Sequence, residues 1–398
     1  MEWEHRLTGR AKRLVPSVIS EMMRLAAGKG VVSFTAGQPS ADLYPTDELV
    51  AALGESLRGF PEGLAYPHPL GDDKLRGWIA SWLIREEIAP ARTEASRILL
   101  TTGSQQGLSM LAQLFIEPGS RILVEDPSYP EALLTFGREG AEFVPVPIEA
   151  DGPDIAALER ALRSGPFAFF YTIPSFQNPT GYTTSTEKKR AVLGLAAKYG
   201  VPIVEDEPYY FLRYEGAPPE TYLALSGGEG VLYLGSFSKI VAPGIRCGFM
   251  VLPPELADRA SMLRVTLEIG LPAFLQRGLA ILFDSPFFPS HLARLRRAYG
   301  ARRDGLVQAV DEHLVPLGFR STIPQGGFFL WGRKKGIDAM PFTFRAVREF
   351  GVGVIPGSIF FVDEHAGKEW LRLSFASVSP EDSKEGCRRL AEAFGKDP

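Results

Sequence analysis

Lys239 stands in the pentapeptide Gly235-Ser236-Phe237-Ser238-Lys239, and Pro243-Gly244-Ile245-Arg246 follows closely. A primary amine flanked by two hydroxyls and a nearby guanidinium suits one kind of chemistry well. The amine can hold an aldehyde cofactor as a Schiff base, while Ser236, Ser238 and Arg246 hold that cofactor's phosphate. A surface lysine after a loop fits the pentapeptide alone equally well.

Other polar residues could serve the same cofactor. Thr102-Gly103-Ser104-Gln105 leads from a strand into a helix, which would turn backbone N–H groups and the positive helix end toward an anion. The dipole adds roughly 0.3–1 kcal/mol, although a plain helix cap would have the same sequence. Asp206, in Glu205-Asp206-Glu207-Pro208-Tyr209, follows an apolar run. A buried carboxylate is costly unless paired, and a protonated pyridine nitrogen is a suitable partner. An exposed turn is the alternative. Tyr209 can donate to the cofactor's phenolate oxygen, and Asn178, extended before Pro179, aims its amide rigidly. Tyr129 could stack on a flat ring or pack in a core. Arg372, between Leu371 and Leu373, could fork onto a substrate carboxylate or face solvent.

A rival reading comes from Ser236-Phe237-Ser238-Lys239, which spells the S-x-x-K of penicillin-binding serine hydrolases. That chemistry needs a serine opening a helix and companion S-D-N and K-T-G triplets. Neither triplet occurs, and Pro243-Gly244 would break a helix begun at Ser236.

Strand ends must position these groups. Val231-Leu232-Tyr233-Leu234 reads as a buried strand, so Lys239 falls just past its carboxyl end, where open α/β sheets bind ligands. Strands at 98–101, 121–124, 167–172, 203–204, 231–234 and 248–252 accompany helices at 103–115 and 188–199. The alternation predicts an α/β fold, with a large domain whose mostly parallel central sheet is covered by helices. Beyond Pro289, a long helix at 291–314 precedes strands at 328–331 and 371–375 and helices at 342–349 and 380–394. These predict a smaller α+β domain. Upstream, 16–27 is an amphipathic helix, 31–34 a short strand, and 46–57 and 71–87 are helices. Ala65-Tyr66-Pro67-His68-Pro69 is barred from regular structure by its prolines. The expected division is an N-terminal arm and short helix at 1–45 joining the small domain, a cofactor-binding domain at 46–289, and the small domain at 290–398.

A chain of 398 residues allows two or three domains. A net charge of −4 supplies no basic field toward nucleic acid or anionic membrane, and neither is expected as a partner. The arginines between 294 and 303 read as a solvated helix face. Two cysteines make no disulfide framework and fit a reducing cytosol, hence a cytoplasmic location. The charged N-terminus does not read as a signal peptide, no apolar stretch reaches the ~20 residues of a membrane span, and no metal is expected.

Taken together, the chain resembles the fold type I, class I/II aminotransferases dependent on pyridoxal 5′-phosphate. The residues carrying the likeness are Pro-Ser-Phe-Gln-Asn-Pro-Thr-Gly at 174–181, Asp-Glu-Pro-Tyr-Tyr-Phe-Leu at 206–212 and Gly-Ser-Phe-Ser-Lys-Ile-Val-Ala-Pro-Gly-Ile-Arg at 235–246. They look most like the branch of 2-aminoadipate and kynurenine aminotransferases. The resemblance implies that Lys239 is the Schiff-base lysine and Asp206 the pyridinium partner, with Asn178 and Tyr209 on the phenolate oxygen and Tyr129 on the ring. It assigns the phosphate to Ser104, Gln105, Ser236, Ser238 and Arg246, at a motif opened by Gly103. It assigns the substrate's α-carboxylate to Arg372, helped by Asn178 and the backbone of Gly37. It implies a homodimer in which Tyr66 reaches the neighbouring subunit's site. The activity implied is ping-pong transfer of an amino group from an L-amino acid to a 2-oxoacid.

Lyases on the same scaffold that eliminate at Cβ or Cγ remain an alternative. Regulators that carry such a domain behind a DNA-binding helix-turn-helix do not fit, because no such motif precedes Gly103. In the aminoadipate-using branch an arginine of the N-terminal helix meets the distal carboxylate. Here Ser20 aligns with it, beside Glu21, and Arg10, Arg13 or Arg24 are the possible substitutes. Neutral aliphatic or aromatic substrates are therefore expected, with glutamate and 2-oxoglutarate as the shared partner; 2-aminoadipate specificity is the alternative.

Overall fold

Near-continuous apolar runs such as Ile98–Thr101 and Val231–Ser236 are buried along their whole length, as strands covered on both faces must be. In the computed structural model, which describes residues 3–396, they form an eight-stranded sheet. Met1, Glu2, Asp397 and Pro398, at the ends of the predicted arm and small domain, lie outside the described residues. The strand order is Ile98–Thr101, Gly248–Val251, Val231–Ser236, Ile203–Glu207, Phe170–Thr172, Arg121–Asp126, Glu142–Glu149, Gly152–Pro153. Pairing is parallel from Val231–Ser236 through to Glu142–Glu149, and Gly248–Val251 runs antiparallel to both its neighbours. Side chains alternate between two cores: Tyr233 joins Trp82 and Phe283 on one face, and Leu234 joins Phe136 and Met250 on the other.

Two of the inner strands outrun their apolar stretches. Arg121–Asp126 takes in Glu125, and Ile203–Glu207 takes in Glu205, Asp206 and Glu207. Asp206, expected just after a strand, therefore lies within one. The sheet tolerates these acids because each is bonded. Glu205 accepts from the backbone N–H groups of Tyr222 and Leu223 at 2.7 and 2.8 Å, and Glu207 accepts from the Ser175 hydroxyl at 2.8 Å. Glu125 accepts from the Thr172 hydroxyl and the Ile173 N–H. A strand read from apolar residues alone stops at the first charge, which is why both strands run past the expected 121–124 and 203–204. Strand Glu142–Glu149 also escapes such a reading, because Pro145 and Pro147 mask it. Helices Pro130–Glu139, Ile155–Leu162, Pro254–Leu267 and Ala273–Asp284 likewise add to the predicted set.

A second, antiparallel sheet has the order Phe319–Ser321, Phe329–Lys334, Trp370–Ser374, Ile355–Pro356. The N-terminal segment lies beside it: Val32–Ser33 pairs in parallel with Val352–Gly353 as a separate two-stranded sheet, and the Phe34 carbonyl accepts from the Ser374 N–H at 2.9 Å. Ser17 caps helix Val18–Ala26 by accepting from the Ser20 N–H, and Met22 of that helix packs with Trp331, Ile355 and Phe360. Helix Phe287–His313 bridges the two cores, giving Leu292 and Tyr299 to the large one and Leu306 and Val310 to the small one. Among the described residues no helix is long and apolar enough to cross a membrane.

Candidate active site

The carboxyl ends of the parallel strands face the small sheet across a cavity of about 440 Å³. Lys239, Asp206, Asn178, Tyr129, Tyr209 and Arg372 line it, as do Gly37, Gly103, Ser104, Gln105, Ser236, Ser238 and Arg246. The predicted set is thus gathered in one place except for Tyr66, which is 86% exposed and does not line the cavity of its own chain.

Lys239 follows strand Val231–Ser236, and its Nζ donates to the Gly37 carbonyl at 2.6 Å. Burial, reinforced by the positive charges of Arg372 and Arg246, pushes the amine down to about 8, against the opposing pull of Asp206. Asp206 is 2% exposed; its Oδ2 accepts from the Tyr171 hydroxyl at 2.9 Å, and its Oδ1 is buried without a partner. Burial pushes this carboxyl up to about 7, although the Tyr171 bond and Lys239 work the other way.

Arg372 enters from the small sheet and is also 2% exposed. Its Nη1 donates to Asn178 Oδ1 at 3.0 Å and its Nη2 to the Thr35 carbonyl at 2.7 Å. The guanidinium lies 4.3 Å from the Phe329 ring centroid, and its Nε is buried without a partner. Burial pushes it down to about 10, still cationic at neutral pH. Tyr129 and Tyr209 are pushed up by burial, so both keep their hydroxyl protons.

At the far wall helix Ser104–Phe115 begins, with Gly103 at φ +74° before it. A Cβ on Gly103 would come 2.7 Å from Arg246 Nη2, so glycine lets that guanidinium close in. Arg246 itself adopts the left-handed region, at φ +45°, and its Nη2 donates to the Thr102 carbonyl at 3.1 Å. Ser236 Oγ accepts from the Ser238 N–H at 3.2 Å. Gln105 turns its amide to the Thr135 hydroxyl, at 2.6 Å.

Several lining or supporting residues carried no sequence signal. Tyr171 belongs to an apolar strand and reads as core; only the structure brings its hydroxyl to Asp206. Thr35 acts through its backbone. Ile19 and Met23 of helix Val18–Ala26 close the cavity's outer end together with Glu131; Ser20, which the resemblance already sets there, lines it with them. No arginine of the N-terminal arm lines it: Arg10 pairs with Glu139 at 2.8 Å, and Arg13 Nε donates to the Arg138 carbonyl at 3.0 Å.

The residues fit pyridoxal phosphate. Hydroxyls, a guanidinium and a helix start converge where a phosphate needs them. The buried, half-paired Asp206 suits a cationic ring nitrogen, and the half-paired Arg372 suits a carboxylate. Comparison with known proteins agrees. Residues 29–390 match the family model for aminotransferase class I and II. A 2-aminoadipate transaminase of Thermus thermophilus is 35% identical over 99% of this chain and 98% of its own. An aromatic-amino-acid aminotransferase of Thermococcus litoralis is 32% identical over 99% and 95%. The solved alpha-aminoadipate aminotransferase of Thermus thermophilus, complexed with N-(5′-phosphopyridoxyl)-L-leucine, superposes with a TM-score of 0.90 at 34% identity, over 99% of this chain and 98% of that one.

Proposed function

The chain belongs to the class I and II aminotransferases, and on that footing we propose how its cavity moves an amino group from an L-amino acid to a 2-oxoacid. Pyridoxal 5′-phosphate, when bound, supplies a carbonyl for the substrate's amine and a ring that takes up the electron pair released at Cα. Lys239 takes the proton from Cα and returns one, as general base and acid. An amine held near 8 by burial is partly unprotonated at neutral pH, as that work requires. Asp206 holds a proton on the ring nitrogen through the oxygen that Tyr171 leaves free. Ser104, Gln105, Ser236, Ser238 and Arg246 bind the phosphate, Gly103 making room for Arg246. Tyr129 stacks on the ring, while Asn178 and Tyr209 bind its phenolate oxygen. Arg372 binds the α-carboxylate with Asn178 and the Gly37 backbone. The two substrates take turns in the one cavity, the first product leaving before the second substrate enters.

One observation carries this reading: an amine, a half-paired buried carboxylate and a half-paired buried guanidinium meet around one cavity from three separate elements. The substrate's far end meets Ile19, Ser20 and Met23, where no arginine of the arm awaits a second carboxylate. Neutral aliphatic or aromatic amino acids are thus favoured, with glutamate and 2-oxoglutarate as the shared partner. The leucine adduct in the Thermus structure supports this; the aminoadipate name of that relative supports the second reading, specificity for 2-aminoadipate. The test is kcat/KM for leucine, phenylalanine, kynurenine and 2-aminoadipate with one common 2-oxoacid. A tenfold lead for 2-aminoadipate would decide for the second reading. Ammonia released in step with oxoacid, with no acceptor consumed, would make the protein a lyase.

The enzyme is further proposed to be a cytoplasmic homodimer. Tyr66 is exposed, as are Leu64, Met262 and Val265, which is the state expected of residues that a second copy covers. Each Tyr66 then serves the partner's cavity. Both cysteines, Cys247 and Cys387, are buried free thiols, in keeping with a reducing compartment.

A further inference from the structure

Glu131 is the charged group in the cavity that the proposed chemistry leaves without a task. It lies in the first turn of helix Pro130–Glu139 and lines the cavity beside Ile19, Ser20 and Met23, at the end where a substrate side chain would lie. Its Oε1 accepts from the Ser17 hydroxyl at 2.6 Å, and among the described residues no cation pairs with it. Its charge is felt inside the site. Burial raises Tyr129 and Glu131 adds to that, and at Arg372 Glu131 works against the lowering that burial causes.

From this placement we infer that Glu131 is a specificity-determining residue, whose negative charge disfavours amino and 2-oxo acids bearing a carboxylate at the far end of the side chain. The inference rests on the aminotransferase reading and deepens it. A cavity that merely lacks a distal cation disfavours a second carboxylate through desolvation alone; one holding an unpaired carboxylate adds like-charge repulsion to that cost. Glutamate and 2-oxoglutarate are then carried at a cost, and neutral side chains are favoured by exclusion as well as by fit.

The same carboxylate also ties helix Val18–Ala26 down through Ser17, so the test must separate charge from position. Glu131→Gln removes the charge but keeps an acceptor for Ser17; Ser17→Ala keeps the charge and removes the tie together with the N-cap bond of helix Val18–Ala26, so it reports on position alone. Two quantities are measured for wild type and both variants in the cofactor-loaded enzyme. One is the glutamate-to-leucine ratio of kcat/KM in single-turnover half-reactions. The other is the ratio of Kd values for glutarate and 4-methylpentanoate, by calorimetry. In Glu131→Gln both ratios should move toward the dicarboxylate by roughly five- to tenfold, and the shift should shrink as salt rises. In Ser17→Ala both should stay within about twofold of wild type. The inference is overturned if Glu131→Gln leaves the ratios unchanged, or if Ser17→Ala reproduces its effect. If neither amino acid turns over in any variant, the aminotransferase reading falls, while the glutarate arm still decides the role of Glu131.

Discussion

The two ends of the cavity are built differently. At the inner end, Asp206, Ser236 and Lys239 stand on or just beyond the strands of an eight-stranded sheet, and Arg372 stands on a strand of the second sheet. Asp206 and Arg372 are each 2% exposed, and each is held by hydrogen bonds while keeping one atom free. At the outer end, Ile19, Ser20 and Met23 stand on one nine-residue helix that buries only Met22 and Ala26. The inner end fixes charges to within hydrogen-bonding distances, as acid–base chemistry requires. The outer end is a lightly anchored wall whose residues can change without disturbing that chemistry. Chemistry and selectivity are therefore separable by mutation, inner changes acting on rate and outer ones on choice.

The sharpest way to break this comparison is Lys239→Ala. It should retain pyridoxal phosphate through the phosphate-binding residues yet lose turnover by roughly a thousand- to ten-thousandfold, the upper part of the range expected for a missing general base. Borohydride treatment, followed by peptide mapping, should fix the cofactor to Lys239 in the native enzyme and nowhere in the variant. Label on another lysine would remove Lys239 from the mechanism.

Asp206→Ala comes next, with a loss of roughly a hundred- to thousandfold in kcat and an unchanged fold by circular dichroism. Near-native turnover would show that the inner carboxylate is structural. Tyr171 sharpens the point: Tyr171→Phe takes one hydrogen bond from Asp206 and should cost far less, roughly tenfold or below.

A smaller effect tests Tyr66. Hybrid dimers are made from a Tyr66→Phe chain and a Lys239→Ala chain. If Tyr66 serves the partner, one of the two sites keeps both residues intact, and the hybrid retains about half of wild-type activity per dimer. If every site behaves as impaired, Tyr66 acts within its own chain.

This contrast also explains what the sequence made legible. Lys239, Ser104 and Asn178 sit where turn-forming residues follow apolar runs, so their places at strand ends could be read in one dimension. Tyr171, Thr35 and Glu131 could not. Tyr171 looks like any core aromatic until strand Phe170–Thr172 is set beside Ile203–Glu207, and Thr35 contributes only a backbone carbonyl. Glu131 reads as an ordinary first-turn acid until Ser17, 114 residues away, is laid against it. The extents of strands Arg121–Asp126 and Ile203–Glu207 were hidden for the same reason, since tertiary partners make their acids tolerable.

The smallest effect concerns the cofactor-free enzyme, where the inner end should be least stable near neutral pH. Asp206 rises from 3.8 to about 7 on folding, so the folded chain holds a proton that the unfolded chain has released between those values. Its contribution is fully present below about 4 and is lost as pH rises through about 7. Lys239 falls from 10.5 to about 8, so between those values the unfolded chain holds the extra proton, and stability rises with pH across that window. The two slopes have opposite signs and leave a trough between about 7 and 8. Thermal unfolding of the apoenzyme from pH 5 to 10 should show the trough as a dip of roughly a few degrees relative to a reference lacking both groups. Asp206→Asn should flatten the acid side and Lys239→Met the alkaline side. Parallel profiles for the wild type and both variants would mean that neither group titrates as its surroundings dictate. Changes at the outer end, such as Ser20→Ala, should leave the profile unmoved.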